Sequence, residues 1–173
     1  GSGSSMGVLL FLSLGMAFLY APIEKELGPS QKIFYYHVPS AMMAFFAFFL
    51  VLVGSGLFLL TRRKSWDLLA GAAAEVGIVF CAIVLTTGPL WAKPAWGVYW
   101  TWDVRLTTTL LMAIMYIAYL MLRDSSRDNP RKAVITSVYG IVCFVNVPIV
   151  HLSVRLFRSV HPLLFKADDS LRQ

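Results

Sequence analysis

Five long runs, almost free of charge, decide what this chain can be: Met6–Ile23, Pro39–Thr61, Trp66–Leu90, Leu106–Leu122 and Ala133–Val154. A helix needs about 20 apolar residues to cross the hydrocarbon of a bilayer. Backbone polar groups in lipid must be satisfied within their own segment, which favours helices over open strands. The expected fold class is therefore all-α, a multi-span helical membrane protein with five transmembrane helices. Composition agrees: 58% of residues are hydrophobic and 14% charged, against about 45–50% and about 25% in soluble domains. Gly54, Gly56 and the Phe45–Phe49 cluster inside the second run suit closely packed helices.

The net charge of +6 does not point to nucleic acid, because the basic residues sit in short segments between apolar runs. Two connections are strongly basic: Arg62-Arg63-Lys64, and the stretch from Arg123 to Lys132. The positive-inside rule makes these cytoplasmic, with the N-terminus inside and the C-terminal tail outside. The tail's Arg155, Arg158, Lys166 and Arg172 run against that orientation. One conclusion does not depend on orientation. Two spans separate the Glu24–Val38 connection from Trp91–Arg105, and two more separate that loop from the tail. An even number of crossings returns the chain to the same side, so His37, the tryptophan-rich loop and His161 share one membrane face.

Gly1–Ser5 reads as a tag or linker, 6–162 as the membrane domain and 163–173 as a tail on the outer face. The first run has no basic flank and no small-x-small cleavage site, so no signal peptide is expected. Cys81 and Cys143 both lie within apolar runs, with no CxxC or CxxCH, and read as small core residues.

The richest chemistry lies at 91–107, where four of the five tryptophans, Trp91, Trp96, Trp100 and Trp102, fall within twelve residues. An aromatic belt at the headgroups is the simpler account. A belt needs only one or two rings per helix end, whereas this loop also carries glycine, proline and Asp103. If the loop is partly helical, Trp96, Trp100 and Asp103 share one face and make a flat aromatic shelf with a polar edge. Such a shelf suits a large flat apolar ligand, since aromatic pairs add about 0.5–1.5 kcal/mol beyond area burial.

Histidines flank this loop. His37 lies in Tyr35-Tyr36-His37-Val38-Pro39, before the second run, and His161 in Ser159-Val160-His161-Pro162, after the fifth. A single interfacial histidine is usually a polar cap. Two on one face beside an aromatic wall can hold a heme iron from opposite sides. His151, near the end of the fifth span, reads as a structural, hydrogen-bonded histidine.

The segment Trp96-Gly97-x-x-Trp100-x-Trp102-Asp103-x-Arg105-Leu106-Thr107 resembles the WWD signature of heme-handling membrane proteins of cytochrome c maturation. His37-Val38-Pro39-Ser40-Ala41 and Val145-Asn146-Val147-Pro148-Ile149-Val150-His151-x-Ser153 resemble its short member, the cytochrome c maturation protein C family. The resemblance runs from about Ile33 to Pro162. It implies a multi-pass inner-membrane protein, not itself an enzyme, that binds heme b non-covalently and transiently on its periplasmic face. It would present this heme to a periplasmic heme chaperone, cytochrome c maturation protein E. His37 and His161 match the family's axial iron ligands, and Trp96, Trp100, Trp102 and Asp103 its heme-contacting loop. Trp91 and Arg105 join them as candidates, Arg105 as a propionate partner or as a residue snorkelling to headgroups. The further partners implied are ABC-type subunits, a small single-span subunit and the lipid bilayer. The family has six spans, and 163–173 is too short and polar to be the sixth.

Glu75 lies well inside the third run. Placing it there costs about 2.5–3.5 kcal/mol on insertion scales, so it should face protein, and a partner helix is the preferred reading. There is no GxxxxGK[ST] motif, so any ATP-driven step belongs to another subunit. Two alternatives remain open: a heme lyase-type enzyme of the larger WWD group, and a small-solute transporter with an aromatic lid.

Overall fold

The computed structural model describes residues 2–23, 25, 28–125 and 129–156. Its elements are helical: α1 (Ser2–Gly15), continued by a π-helical turn (Met16–Tyr20), a 3₁₀ turn (Pro29–Ile33), α2 (Phe34–Thr61), α3 (Lys64–Trp96), α4 (Val104–Asp124), α5 (Pro130–Phe144) and α6 (Asn146–Leu156). Among the described residues, five helical stretches are long and apolar enough to cross a membrane, α5 and α6 together making one of them. The chain is an all-α, multi-span membrane protein, as the apolar runs require.

The boundaries differ from expectation at informative places. α1 already runs through Gly3–Ser5, the stretch that reads as a linker. α3 runs past the expected end at Leu90, through Pro89 and Pro94, to Trp96. The fifth run is broken at Val145. Pro148 has no N–H to offer the carbonyl of Phe144, which favours an interruption there. Asn146 supports the break by donating its side-chain amide to the Thr108 carbonyl on α4 (2.8 Å).

α2 and α3 form a long hairpin about a two-residue turn. Arg62 takes a left-handed conformation (φ 58°) and its N–H caps Phe58 O (2.8 Å). Small residues bring the two backbones together. A Cβ on Gly54 would lie 2.9 Å from the Trp66 carbonyl, and one on Gly77 would lie 2.5 Å from the Phe48 ring. Pairing outward from the turn therefore sets Gly54 against Ala70, Phe48 against Gly77 and, at the far end, His37 against Thr87. α4 closes the core, with Phe48 stacked on Tyr116 (3.7 Å between centroids, 10° between planes). Cys81 and Cys143 are buried and free, as core residues.

The turn end of the bundle is fastened by Asp67 of α3 and Arg123 of α4, joined by two parallel hydrogen bonds (2.5 and 2.9 Å). The guanidinium lies over Gly71, where a Cβ would collide with it. α1 lies at the edge of this arrangement, with none of its apolar length fully buried. It is tied on near its C-terminal end, where Ser13 Oγ lies 3.1 Å from the Tyr36 hydroxyl, Phe18 stacks on Tyr36, and Lys32 donates to Phe18 O (2.7 Å). Glu75 is exposed on the outside of α3, so the described residues of this chain do not supply the protein surface it is expected to face.

Candidate functional site

His37 lies on the first turn of α2, directly after the 3₁₀ turn. Its Nδ1 is 2.8 Å from Thr87 Oγ1, and that hydroxyl donates back to the Ile83 carbonyl of its own helix (2.6 Å). Gly88 lies beside the imidazole, where a Cβ would meet His37 Cε1 at an ordinary contact distance of 3.4 Å. The ring is then continued by aromatics. His37 meets Phe34 edge-on at 6.4 Å, Phe34 packs on Trp91 at 4.9 Å, and Trp91 meets Trp96 edge-to-face at 5.1 Å. Phe34 and His37 are three residues apart on α2, and Thr87 and Trp91 four apart on α3, so each pair shares a helix face.

α3 stops after Trp96 because Gly97 adopts a left-handed conformation (φ 79°) and its N–H closes on Lys93 O (2.9 Å). Lys93 Nζ donates to Gly97 O (2.9 Å) and sits over the Tyr99 ring (5.2 Å). The chain from Gly97 to Asp103 is not helical, and α4 starts when Asp103 Oδ1 accepts the Leu106 N–H (2.8 Å). Asp103 is thus an N-cap, and the cap aims α4 away from the loop. Its charge acts on Arg105, and the charge of Arg105 reaches His37. The beginnings of α2 and α4 and the end of α3 therefore converge on one patch.

Two expectations about the loop change. Trp96, Trp100 and Asp103 do not lie on one helical face, because Gly97 ends the helix between them. Nor do the tryptophans make one flat shelf: Trp91–Trp96 and Trp100–Trp102 are each edge-to-face, at 85° and 78°. Trp91 is buried and forms the wall behind His37 and Phe34, whereas Trp102 is 76% exposed at the rim. Between them, Trp100 Nε1 and Thr101 Oγ1 are buried with no hydrogen-bond partner among the described residues. His161 lies outside the described residues. His151 lies within α6 rather than at its end, exposed, and meets the Phe45 ring edge-on at 6.3 Å.

These groups can bind a large aromatic ligand from several sides. An imidazole held at Nδ1 presents Nε2, perpendicular rings offer both faces and edges, and the orphaned indole N–H and threonine hydroxyl can donate to an anionic substituent. The reading from sequence missed Phe34 and Thr87. Thr87 emerges only from the hairpin register about the Arg62-Arg63 turn, which sets it against His37.

A family model for heme exporter protein C matches residues 3–164. The chain belongs to the heme exporter protein C family. It is 35% identical over 154 residues to heme exporter protein C of Bradyrhizobium diazoefficiens, covering 89% of this chain and 58% of that one. Against heme exporter protein C of Escherichia coli K12 the identity is 32%, over 89% of this chain and 63% of the relative. A putative cytochrome c biosynthesis ccmC-like mitochondrial protein of Marchantia polymorpha is 31% identical, over 88% and 64%. The chain thus spans about three-fifths of the length of these curated relatives. The matched region includes the whole patch around His37, the tryptophan loop and Arg105.

Proposed function

We propose that this heme exporter protein C family member binds heme b, non-covalently and transiently, at the tryptophan end of its helix bundle. In this reading the end faces the periplasm from the inner membrane, and heme passes to a periplasmic heme chaperone. The observation that carries the proposal is the imidazole of His37, held at Nδ1 by Thr87 and continuous through Phe34 with the tryptophan cluster. The residues fit a heme as cargo. His37 supplies one axial ligand and His161, at the same membrane face by the even count of spans, the other. Trp96, Trp100 and Trp102 supply ring contacts, with Trp91 as the wall behind them. Trp100 Nε1, Thr101 Oγ1 and Arg105 supply donors for propionates. Asp103 shapes the site by starting α4 and by its charge beside Arg105.

Heme is the cargo here, and the chain's task is to hold it and release it; no bond to carbon is made or broken. Purification from heme-replete cells should yield protein with a bis-imidazole heme spectrum. A protein that copurifies without heme, and takes up none when titrated with it, would end this reading.

The partners we infer are the chaperone, ABC-type subunits and a small single-span subunit of a maturation complex. Glu75 supports a helix–helix contact within such a complex. It is exposed twelve residues before Thr87 on α3, roughly 18 Å away at 1.5 Å per residue. An ionisable group at that depth needs a protein neighbour. Glu75→Gln should weaken copurification of partner subunits and leave heme content unchanged. Heme loss from an intact complex would refute this assignment.

A further inference from the structure

Thr87 hydrogen-bonds the His37 imidazole, and its geometry decides more than position. A threonine hydroxyl has one hydrogen to give. Thr87 Oγ1 lies 2.6 Å from the Ile83 carbonyl oxygen, a distance that requires the hydrogen to lie between them. Turning it instead toward His37 would leave two acceptor oxygens facing each other at that distance. With its hydrogen committed to the helix, Thr87 can only accept from His37. The 2.8 Å contact is then Nδ1–H donating to Oγ1.

We propose that Thr87 is a positioning residue that fixes the tautomer of His37, placing the proton on Nδ1 and leaving the lone pair of Nε2 available to a metal-bearing ligand. This rests on the heme-binding reading above, and extends it from which residue ligates to what prepares the ligand. An imidazole with a free choice of tautomer, and free rotation about its side chain, would present the lone pair only part of the time. Here the carbonyl of Ile83, the hydroxyl of Thr87 and the imidazole form a short relay that starts in the backbone of α3. Because that backbone is anchored by the hairpin packing at Gly54 and Gly77, the ring inherits the rigidity of the bundle. A ligating histidine held at its other nitrogen is also the stronger donor, and loss of such outer partners typically lowers metal affinity 10–100-fold.

The chain has three histidines, so selective ¹⁵N-histidine labelling of the full protein gives a spectrum that single substitutions can assign. In heme-free wild type, His37 should show a protonated Nδ1 and a bare Nε2. Thr87→Val keeps the side-chain shape and removes the acceptor. It should shift His37 toward the Nε2-protonated form and weaken heme binding about 10-fold or more. Thr87→Ser keeps the hydroxyl and should restore both signals. A wild-type His37 protonated at Nε2, or a Thr87→Val protein whose tautomer and heme affinity match wild type, overturns the proposal. A wild type with the expected tautomer that binds no heme at all would instead overturn the heme-binding reading and leave the Thr87 relay standing.

Discussion

The two ends of the helix bundle are built on opposite plans. At the arginine end, α2 and α3 meet in a two-residue turn, and Asp67 and Arg123 pair through two hydrogen bonds over Gly71. The side chains of that pair are less than one-fifth exposed. At the tryptophan end, the chain spends seven residues, 97–103, between α3 and α4 without helix. It leaves Trp102 exposed and the donors of Trp100 and Thr101 without partners among the described residues. Buried polar groups are ordinarily satisfied, and the unmet donors of Trp100 and Thr101 are what make the tryptophan end the proposed binding end. The same hairpin serves both ends, because the packing fixed at Arg62–Lys64 is what sets His37 against Thr87 at the other.

That contrast can be broken from either side. The largest effect belongs to the proposed iron ligands. Changing both His37 and His161 to alanine should abolish stable heme capture while the tryptophans remain, since ring stacking orients the ligand and coordination anchors it. Each single change should weaken the site, and His151→Ala should keep the wild-type optical spectrum. Next comes Asp67→Ala, which removes the carboxylate partner of the Arg123 guanidinium at the closed end. It should lower stability by about 1.5–3 kcal/mol, read as a fall in thermal midpoint in detergent. Heme affinity of the folded protein should hold, and a specific loss of heme would show that the ends are not separable. The smallest effect is at the rim. Trp102→Ala should weaken heme by about 0.5–1.5 kcal/mol, or up to roughly 10-fold, with no change in thermal midpoint.

Much of this was legible in the sequence, for identifiable reasons. Lipid leaves few choices to uncharged runs near 20 residues long, so the number of spans and the sharing of one face by His37 and the tryptophan loop followed from length and parity. The residue pattern around Trp96–Thr107 gave the family, and the match over 3–164 agrees. The shape of the tryptophan loop was not legible. Helical spacing suggested a common face for Trp96, Trp100 and Asp103, but Gly97 can take φ 79° without strain and ends the helix after Trp96. The third run was expected to end at Leu90, yet α3 continues through Pro94 to Trp96, putting Trp91 into the wall rather than the loop. Asp103 looked like the polar edge of a shelf, and local chemistry uses it first as a helix cap. Thr87 carried no motif, and only the register of the hairpin reveals it.

The most direct test of the open end as a heme site is chemical rescue at His37. Heme-loaded His37→Ala protein should lose the low-spin spectrum of the wild type and regain it on addition of free imidazole, a small base able to enter the vacated position beside Thr87. A His37→Ala protein that keeps an undiminished low-spin spectrum with no imidazole added would contradict the assignment, and His37 would then be an interfacial residue rather than a ligand.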